Sequence, residues 1–351
     1  MFLGPYNVAG LLWGYRRGLT ELGVDCKVVV FDESPFGYRS DVAFNFKGNQ
    51  YLRTLRRIPH LPALIGKFDI FHLVYGNSLL GPYPYNFDVP VLKMLQKKVV
   101  MSFLGYDIKC SEEVVKGRKA MVSCHDCEIG DIGTPHSQCK VEKKIRLVKF
   151  WSRYADAIFC GMGGSGVLDA LGVEWHPLIL PCDMNYWKPF ESNFYPEKSK
   201  LLILHAPSDK RLKGERFVTA AIKKLQDEGY DVDFKLLTNQ PNYKVREWLN
   251  VSDIVIDQLL TVWHGMFSVE SMAMAKPTIC SIDEKYRKQF DYARDLPIVS
   301  ATPDTLYEKL KTLVDDPKLR KEIAFKSRKY AEEVHDSKKV AQRLLQVYKS
   351  L

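Results

Sequence analysis

The sequence predicts an α/β protein of two Rossmann-like domains with parallel sheets, and three observations lead there. Short apolar runs alternate with helical periodicity along the whole chain, the pattern of parallel strands joined by crossover helices. Several of those runs end in glycine-bearing loops that open directly into a helix, the place where such sheets hold ligands. The 351 residues exceed one typical core and suit two domains of roughly 150 residues each.

The elements follow in order. Phe2 and Leu3 read as the stub of a first strand, and a glycine-bounded loop, 4–10, comes next. A helix carries Leu12, Tyr15, Leu19 and Leu22 on one face and stops at Gly23. Further strands are expected at 26–31, 68–74, 98–104 and 155–160, which completes a first domain over 1–180 with a cysteine-rich insertion at 108–140. Residues 181–189 form a Pro-bracketed linker. The second domain, 190–335, opens with a strand at 201–205 and a helix with Val218, Ala221, Ile222 and Leu225 on one face. A strand at 233–237, a short helix near 244–249 and a strand–loop–helix–strand segment over 253–280 follow. Thr302-Pro303 and Asp316-Pro317 each read as a helix cap followed by proline at the first helical position. A last helix, 336–351, has Val340, Leu344, Val347, Tyr348 and Leu351 on one face.

Composition excludes some classes. At 46% hydrophobic and 26% charged, with no repeat or low-complexity tract, the chain is ordinary globular protein. No apolar run reaches the roughly 18 residues of a membrane span. The first residues lack the basic start and apolar stretch of a signal peptide. Eight cysteines without such a signal point to a reducing, cytoplasmic compartment, with Cys26, Cys160, Cys182 and Cys280 as buried thiols. The net charge of +9 is compatible with a solvated basic face or with an anionic partner: a nucleotide, the surface of an anionic membrane or, as the less favoured partner, nucleic acid.

Several constellations carry chemistry. His205 to Gly214 follows a strand and precedes a helix; Lys210, Arg211 and Lys213 supply cations there, and Gly214 permits close backbone approach. Free amides at a helix N-terminus favour phosphate; the alternative is a solvated basic turn. In the 253–280 segment, Gly265 opens a helix through Met266 and Phe267, and Glu270 sits in its early turns, either as a dipole-complementing residue or as an acceptor for ligand hydroxyls. Gly105 and Asp107 follow a strand; Asp107 reads equally as a general base and as a loop cap. His72 is expected in the core, whereas Gly76, Asn77 and Ser78 lie at a strand end. Cys110, Cys124, Cys127 and Cys139 suit a structural zinc, with His125 and His136 as competing ligands, while free thiols or a disulfide remain open. Gly161 to Gly166 matches G-x-G-x-x-G, yet no acidic residue ends a strand about twenty residues on, which weighs against a nicotinamide cofactor.

Taken together, His264-Gly265 through Glu270-Ser-Met272-Ala273 to Pro277, the Lys213-Gly214 pair, Asp183 and Trp187 in the linker, and Gly105 with Asp107 resemble the family 4 glycosyltransferases. The chain departs from that pattern at three places. The first motif Glu falls on Val262, the phosphate-binding Arg on Ser208, and a first-domain His on Leu104. The resemblance implies the GT-B fold, two facing Rossmann-like domains with a C-terminal helix crossing back to the first. It implies transfer of a sugar, hexosyl in type, from a nucleotide-sugar donor to a hydroxyl of a glycan, polysaccharide or lipid-linked sugar, with retained configuration and no cofactor or catalytic metal. Ser208, Lys210, Arg211, Lys213, Gly214, Gly265, Met266, Phe267 and Glu270 would bind the donor, with Glu270 on the ribose. Asp107 and His264 would be catalytic. Gly10, Gly76, Asn77, Ser78, Gly105 and Gly163 would line the acceptor side. The departures leave a non-catalytic nucleotide or glycan binder as one alternative, and the charge leaves a DNA-modifying sugar transferase as another.

Overall fold

The computed structural model describes residues 1–105, 107–108, 141–190 and 200–351, apart from the side chains of 141, 211 and 212. The candidate zinc cysteines Cys110, Cys124, Cys127 and Cys139 and the side chain of Arg211 lie outside the described residues. The chain divides into two compact units, one ending at Ile179 and the other spanning Leu180–Lys339, with Val340–Leu351 returning to the first.

The first unit is built on β1 (Phe2–Gly4), α1 (Leu11–Glu21), β2 (Lys27–Val30), β3 (Val42–Ala43), α2 (Gln50–Arg57), α3 (Leu61–Lys67), β4 (Ile70–Val74), α4 (Asp88–Met94), β5 (Lys98–Phe103), α5 (Val141–Tyr154), β6 (Ala157–Cys160), α6 (Ser165–Ala170) and β7 (His176–Pro177). Its seven strands run parallel in the order β3-β2-β1-β4-β5-β6-β7. The order reverses between β1 and β4, so this sheet has its switch point there. β4 and β5 are buried along both faces beyond their first residues and are mostly apolar, as parallel sheets covered by helices require. Phe2, Phe71, Leu73, Val99, Met101 and Trp151 are among the core residues between sheet and helices. On α1 the buried residues Leu12, Tyr15 and Leu19 fall on the face the periodicity predicts.

The second unit is built on β8 (Leu201–His205), α7 (Lys210–Lys213), α8 (Glu215–Asp227), β9 (Val232–Leu236), α9 (Asn242–Val251), β10 (Ile254–Ile256), α10 (Met266–Ala273), β11 (Thr278–Cys280), α11 (Glu284–Gln289), β12 (Val299–Ser300), α12 (Leu306–Asp315) and α13 (Pro317–Tyr330); α14 (Ser337–Lys349) follows. Five strands run parallel in the order β12-β11-β10-β8-β9, which puts the switch point between β8 and β10. Ile203, Ile222, Leu225, Ile254, Ile279 and Leu310 belong to its core.

Two details of local structure differ in outcome. Asp316 caps α13 as expected: its side chain accepts from Leu319 N at 2.9 Å, and Pro317 is the first helical residue. The helix expected at Thr302-Pro303 instead starts at Leu306. Leu306 and Leu310 are fully buried, so core packing sets the helix phase, and Thr302 N donates to Thr305 Oγ1 at 2.9 Å in the approach to it. The two-residue strands β3 and β7 carry no sequence pattern long enough to read.

The four described cysteines Cys26, Cys160, Cys182 and Cys280 are buried and free. His72 is also buried, and in the first unit its Nδ1 meets the Tyr348 hydroxyl and its Nε2 lies 2.6 Å from Ser102 Oγ. Burial pulls this imidazole down to about 3, so it is neutral and structural.

Candidate functional site

The polar groups of the second unit converge at the switch point of its sheet. β8 ends at His205 and β10 at Ile256, two neighbouring strands; the segment that leaves β8 carries Lys213 at the end of α7, and Asp257 directly follows β10. Gly214 adopts φ +79°, the left-handed region that glycine occupies without strain, and a Cβ there would stand 3.3 Å from Leu259 Cβ. This turn directs α8 away from the loop and lets the Lys213 side chain reach inward. Its Nζ lies 2.8 Å from Asp257 Oδ1 and 2.6 Å from Gln258 Oε1.

Asp257 is 1% exposed. Its second oxygen accepts from Ser268 Oγ at 2.6 Å and from Gly265 N at 3.4 Å, so it also caps α10. Burial alone would raise its carboxyl, but the Lys213 ammonium and the Lys213 and Ser268 hydrogen bonds hold it below the usual carboxylate range. A Cβ on Gly265 would stand 3.7 Å from Lys213 Nζ. The ammonium thus sits beside the first amides of α10, where Met266 and Phe267 are half-buried. A cation next to the remaining free amides of a helix N-terminus is suited to a phosphate group.

Glu270 lies one turn further in and is buried, with a single hydrogen bond, from Asn242 Nδ2 at 3.2 Å. Burial pushes its carboxyl up to about 8 against the lowering effect of Asn242, and the Asp257 charge adds to the rise. His264, immediately before Gly265, is also buried, and neither ring nitrogen has a hydrogen-bond partner. A buried polar group in that state costs about 1–3 kcal/mol. Burial pulls the imidazole down to about 4 against the opposing pull of Asp257, so the ring is neutral at pH 7. Trp263 and His335 flank it, with ring centroids at 5.1 and 5.5 Å. His205 repeats the theme: Nδ1 meets Ile256 O at 2.8 Å, and Nε2 is buried without a partner.

The remaining donor-side candidates stand apart from this cluster. Ser208 is exposed in the loop after β8, and Lys210 pairs with Glu215 at 3.5 Å. Val262 is half-buried, and its carbonyl accepts from Asp283 N at 2.9 Å. Asp257, Gln258 and Asn242 were not among the site residues expected from the sequence. Only Asp257 left a signal, a carboxylate closing the apolar run of β10.

The first-unit candidates lie at the carboxyl edge of their own sheet. Asp107 is half-buried and accepts from three backbone amides, Leu104 N at 3.2 Å, Gly105 N at 3.0 Å and Ile108 N at 3.1 Å. Desolvation of the carboxyl pushes it up to about 7 against those amides. Ser78 Oγ donates to Asp88 Oδ1 at 2.6 Å, Asn77 Nδ2 donates to Tyr75 O at 2.7 Å, and Gly76 packs on Leu147. Gly10 precedes α1, and Gly105 faces Gly163 at ordinary contact distance. Among the described residues no cluster of His, Cys, Asp and Glu is suited to hold a metal, and no helix is long and apolar enough to cross a membrane.

No protein-family model matches the chain, and no curated protein matches it in sequence. Solved structures do match in fold. HepE of Anabaena, solved in complex with UDP, aligns with a TM-score of 0.65 at 12% identity over 100% of this chain and 99% of its own. A glycosyltransferase of Rickettsia africae gives 0.65 at 12% over 99% and 97%. The catalytic domain of starch synthase IV of Arabidopsis thaliana, bound to ADP and acarbose, gives 0.63 at 10% over 99% and 98%. With its two parallel sheets of seven and five strands, the chain has the GT-B fold.

Proposed function

We propose that the protein transfers a sugar from a nucleotide-sugar donor to an acceptor hydroxyl, and that the donor binds at the carboxyl edge of the five-stranded sheet. The observation that carries this reading is the meeting of Lys213, the N-terminus of α10 and Glu270 at the switch point between β8 and β10. The diphosphate would lie against Lys213 and the amides of Met266 and Phe267, which would also stabilise charge on the leaving group. Glu270, which has one hydrogen bond of its own, would accept from the ribose hydroxyls. Neighbours that share the fold were solved with UDP or ADP, which supports a nucleoside diphosphate here.

The reaction is proposed to retain configuration and to need no metal. Val262 offers no carboxylate beside the reacting sugar, so His264 takes that place: its unpaired ring nitrogens would meet donor or acceptor oxygens. The unit ending at Ile179 would serve the acceptor, a glycan or lipid-linked sugar, and Leu180–Lys339 the donor. One specific observation favours a second reading, a binder without transfer: Asp257 already neutralises Lys213.

A thermal-shift screen against UDP, GDP, ADP and their sugar conjugates tests the donor site, and a melting temperature unmoved by all of them rejects it. Release of free nucleotide from the binding sugar conjugate then separates enzyme from binder.

A further inference from the structure

We propose that α2 is an interfacial helix that docks the first unit on an anionic lipid bilayer. The helix is inside out. At about 100° per residue, Gln50, Thr54 and Arg57 form one stripe, and Tyr51, Leu55 and, just past the helix end, Ile58 form a second stripe about a quarter-turn round from it. The polar side faces the protein: Thr54 and Arg57 are buried, at 8% and 0% exposed. The apolar side faces out, with Tyr51 62%, Leu52 43%, Leu55 44% and Ile58 47% exposed. α1, on the same sheet, shows the ordinary arrangement, with Leu12, Tyr15 and Leu19 inside.

The inverted orientation is fixed by hydrogen bonds. Arg57 donates to Leu80 O at 2.9 Å and to the Tyr6 hydroxyl at 3.1 Å, with its guanidinium 4.6 Å from the centroid of the Phe31 ring. Thr54 Oγ1 donates to Leu80 O at 3.1 Å. Rotating the helix to hide its leucines would break these contacts and leave a guanidinium without partners. α2 is therefore held at the loops that follow β1 and β4, the carboxyl edge that carries Gly10 and Gly76 to Ser78.

Charge selects the occupant. Residues 42–68 contain no Asp or Glu, but they include Lys47, Arg53, Arg56, Arg57, His60 and Lys67. Arg53 pairs with Asp32 and Arg57 is buried, while Arg56, which donates to Lys47 O, is exposed beside the apolar stripe, and Lys47 and Lys67 are exposed too. A second copy of the chain would set like charges against each other on this face. A bilayer with anionic headgroups accepts both parts, since the apolar side chains enter the acyl boundary and the cations meet phosphate. α4 extends the surface. The connections from β3 to β4 and from β4 to β5 step the same way across the sheet, so right-handed crossovers put α3 and α4 on one face. On α4, Met94 is 81% exposed. The inference deepens the proposed function by naming what presents a lipid-linked acceptor, but its test does not depend on that reading.

The test is co-sedimentation of the purified full chain with vesicles of phosphatidylcholine alone and of phosphatidylcholine mixed with phosphatidylglycerol. The protein is expected to pellet with the mixed vesicles only, and to do so less as salt rises. Leu55→Gln with Ile58→Gln should weaken partitioning about tenfold, Arg56→Gln about fivefold, and Phe325→Gln, an exposed apolar residue of the second unit, not at all. No pelleting with the mixed vesicles, equal pelleting with both kinds, or indifference to the double substitution overturns the proposal. A dimer that the double substitution dissolves, with no vesicle binding, assigns the face to a second copy instead. The nucleotide-induced melting shift of the same proteins separates the two ideas: it should persist in every variant, and its absence from the wild type counts against the donor site alone.

Discussion

The carboxyl edges of the two sheets occupy the same place in the fold and treat their polar groups in opposite ways. At the seven-stranded sheet the groups are consumed locally: Asp107 by three amides, Ser78 by Asp88, Asn77 by Tyr75 O, and Arg57 by Leu80 O and Tyr6. At the five-stranded sheet, Glu270 holds one hydrogen bond, His264 holds none and His205 leaves one nitrogen unmet. Buried polar groups without partners are destabilising in a free protein. Unmet imidazole nitrogens and a carboxylate with one bond gather at this edge, where a polar ligand would complete the structure; at the other edge Arg57 Nε and Asn86 Oδ1 are also buried without partners, but each of those side chains is tied down through its remaining nitrogens.

The largest test of this contrast is the ion pair. Lys213→Ala leaves Asp257 buried and uncompensated, which should cost about 3–5 kcal/mol of stability and abolish nucleotide binding. Adding Asp257→Asn should restore much of the melting temperature without restoring binding. If the double variant binds nucleotide normally, Lys213 is structural and the contrast fails.

His264→Phe comes next. It should lower kcat for sugar transfer by about 100-fold, within the range for loss of a positioned polar group, and keep the nucleotide-induced melting shift. Because the ring is already neutral, the loss should be the same at pH 6 and pH 8.

Glu270 gives the third test. Its carboxyl is protonated below about 8 in the free protein, and the charged form is the stronger acceptor for ribose hydroxyls. UDP-glucose affinity, read by calorimetry, should therefore rise as pH increases from 7 to 8.5, by up to about tenfold per pH unit below the free-state value, and Glu270→Gln should be weak and flat. The folded-state value lies above that of the unfolded chain, and here the raised group is a carboxyl. The folded state thus binds the extra proton, and stability falls as pH rises from about 4.5 towards 8. Glu270→Gln should accordingly raise the melting temperature of the free protein at pH 8, by a few degrees at roughly 2–4 °C per kcal/mol.

The smallest effect sharpens the other side. Asp107→Asn should cost about 1 kcal/mol through weakened amide contacts and leave nucleotide binding intact. A collapse of transfer with an unchanged melting temperature would instead make that carboxylate a base and break the comparison.

The fold was legible because its information is periodic and local. The faces of α1 and α8, the cap at Asp316 and the apolar runs of β4 and β8 each announce themselves within a few residues. The site was legible only in part. Lys213, Gly265 and Glu270 stand out by their places at helix starts, but the Lys213 partner lies 44 residues away and the Glu270 partner 28. Spacing along a chain does not show which loops meet at the end of a sheet. It also does not show orientation: α2, which was not expected as a helix from the sequence, buries Thr54 and Arg57 and exposes Tyr51, Leu52 and Leu55.

The tie between His72 and Tyr348 spans 276 residues of chain. A growing polypeptide adds roughly 5–20 residues per second, so the seven-stranded core waits tens of seconds for the aromatic hydroxyl that closes over its buried imidazole. During that interval the whole five-stranded unit is being made. The first unit is thus completed only by residues made after the second unit.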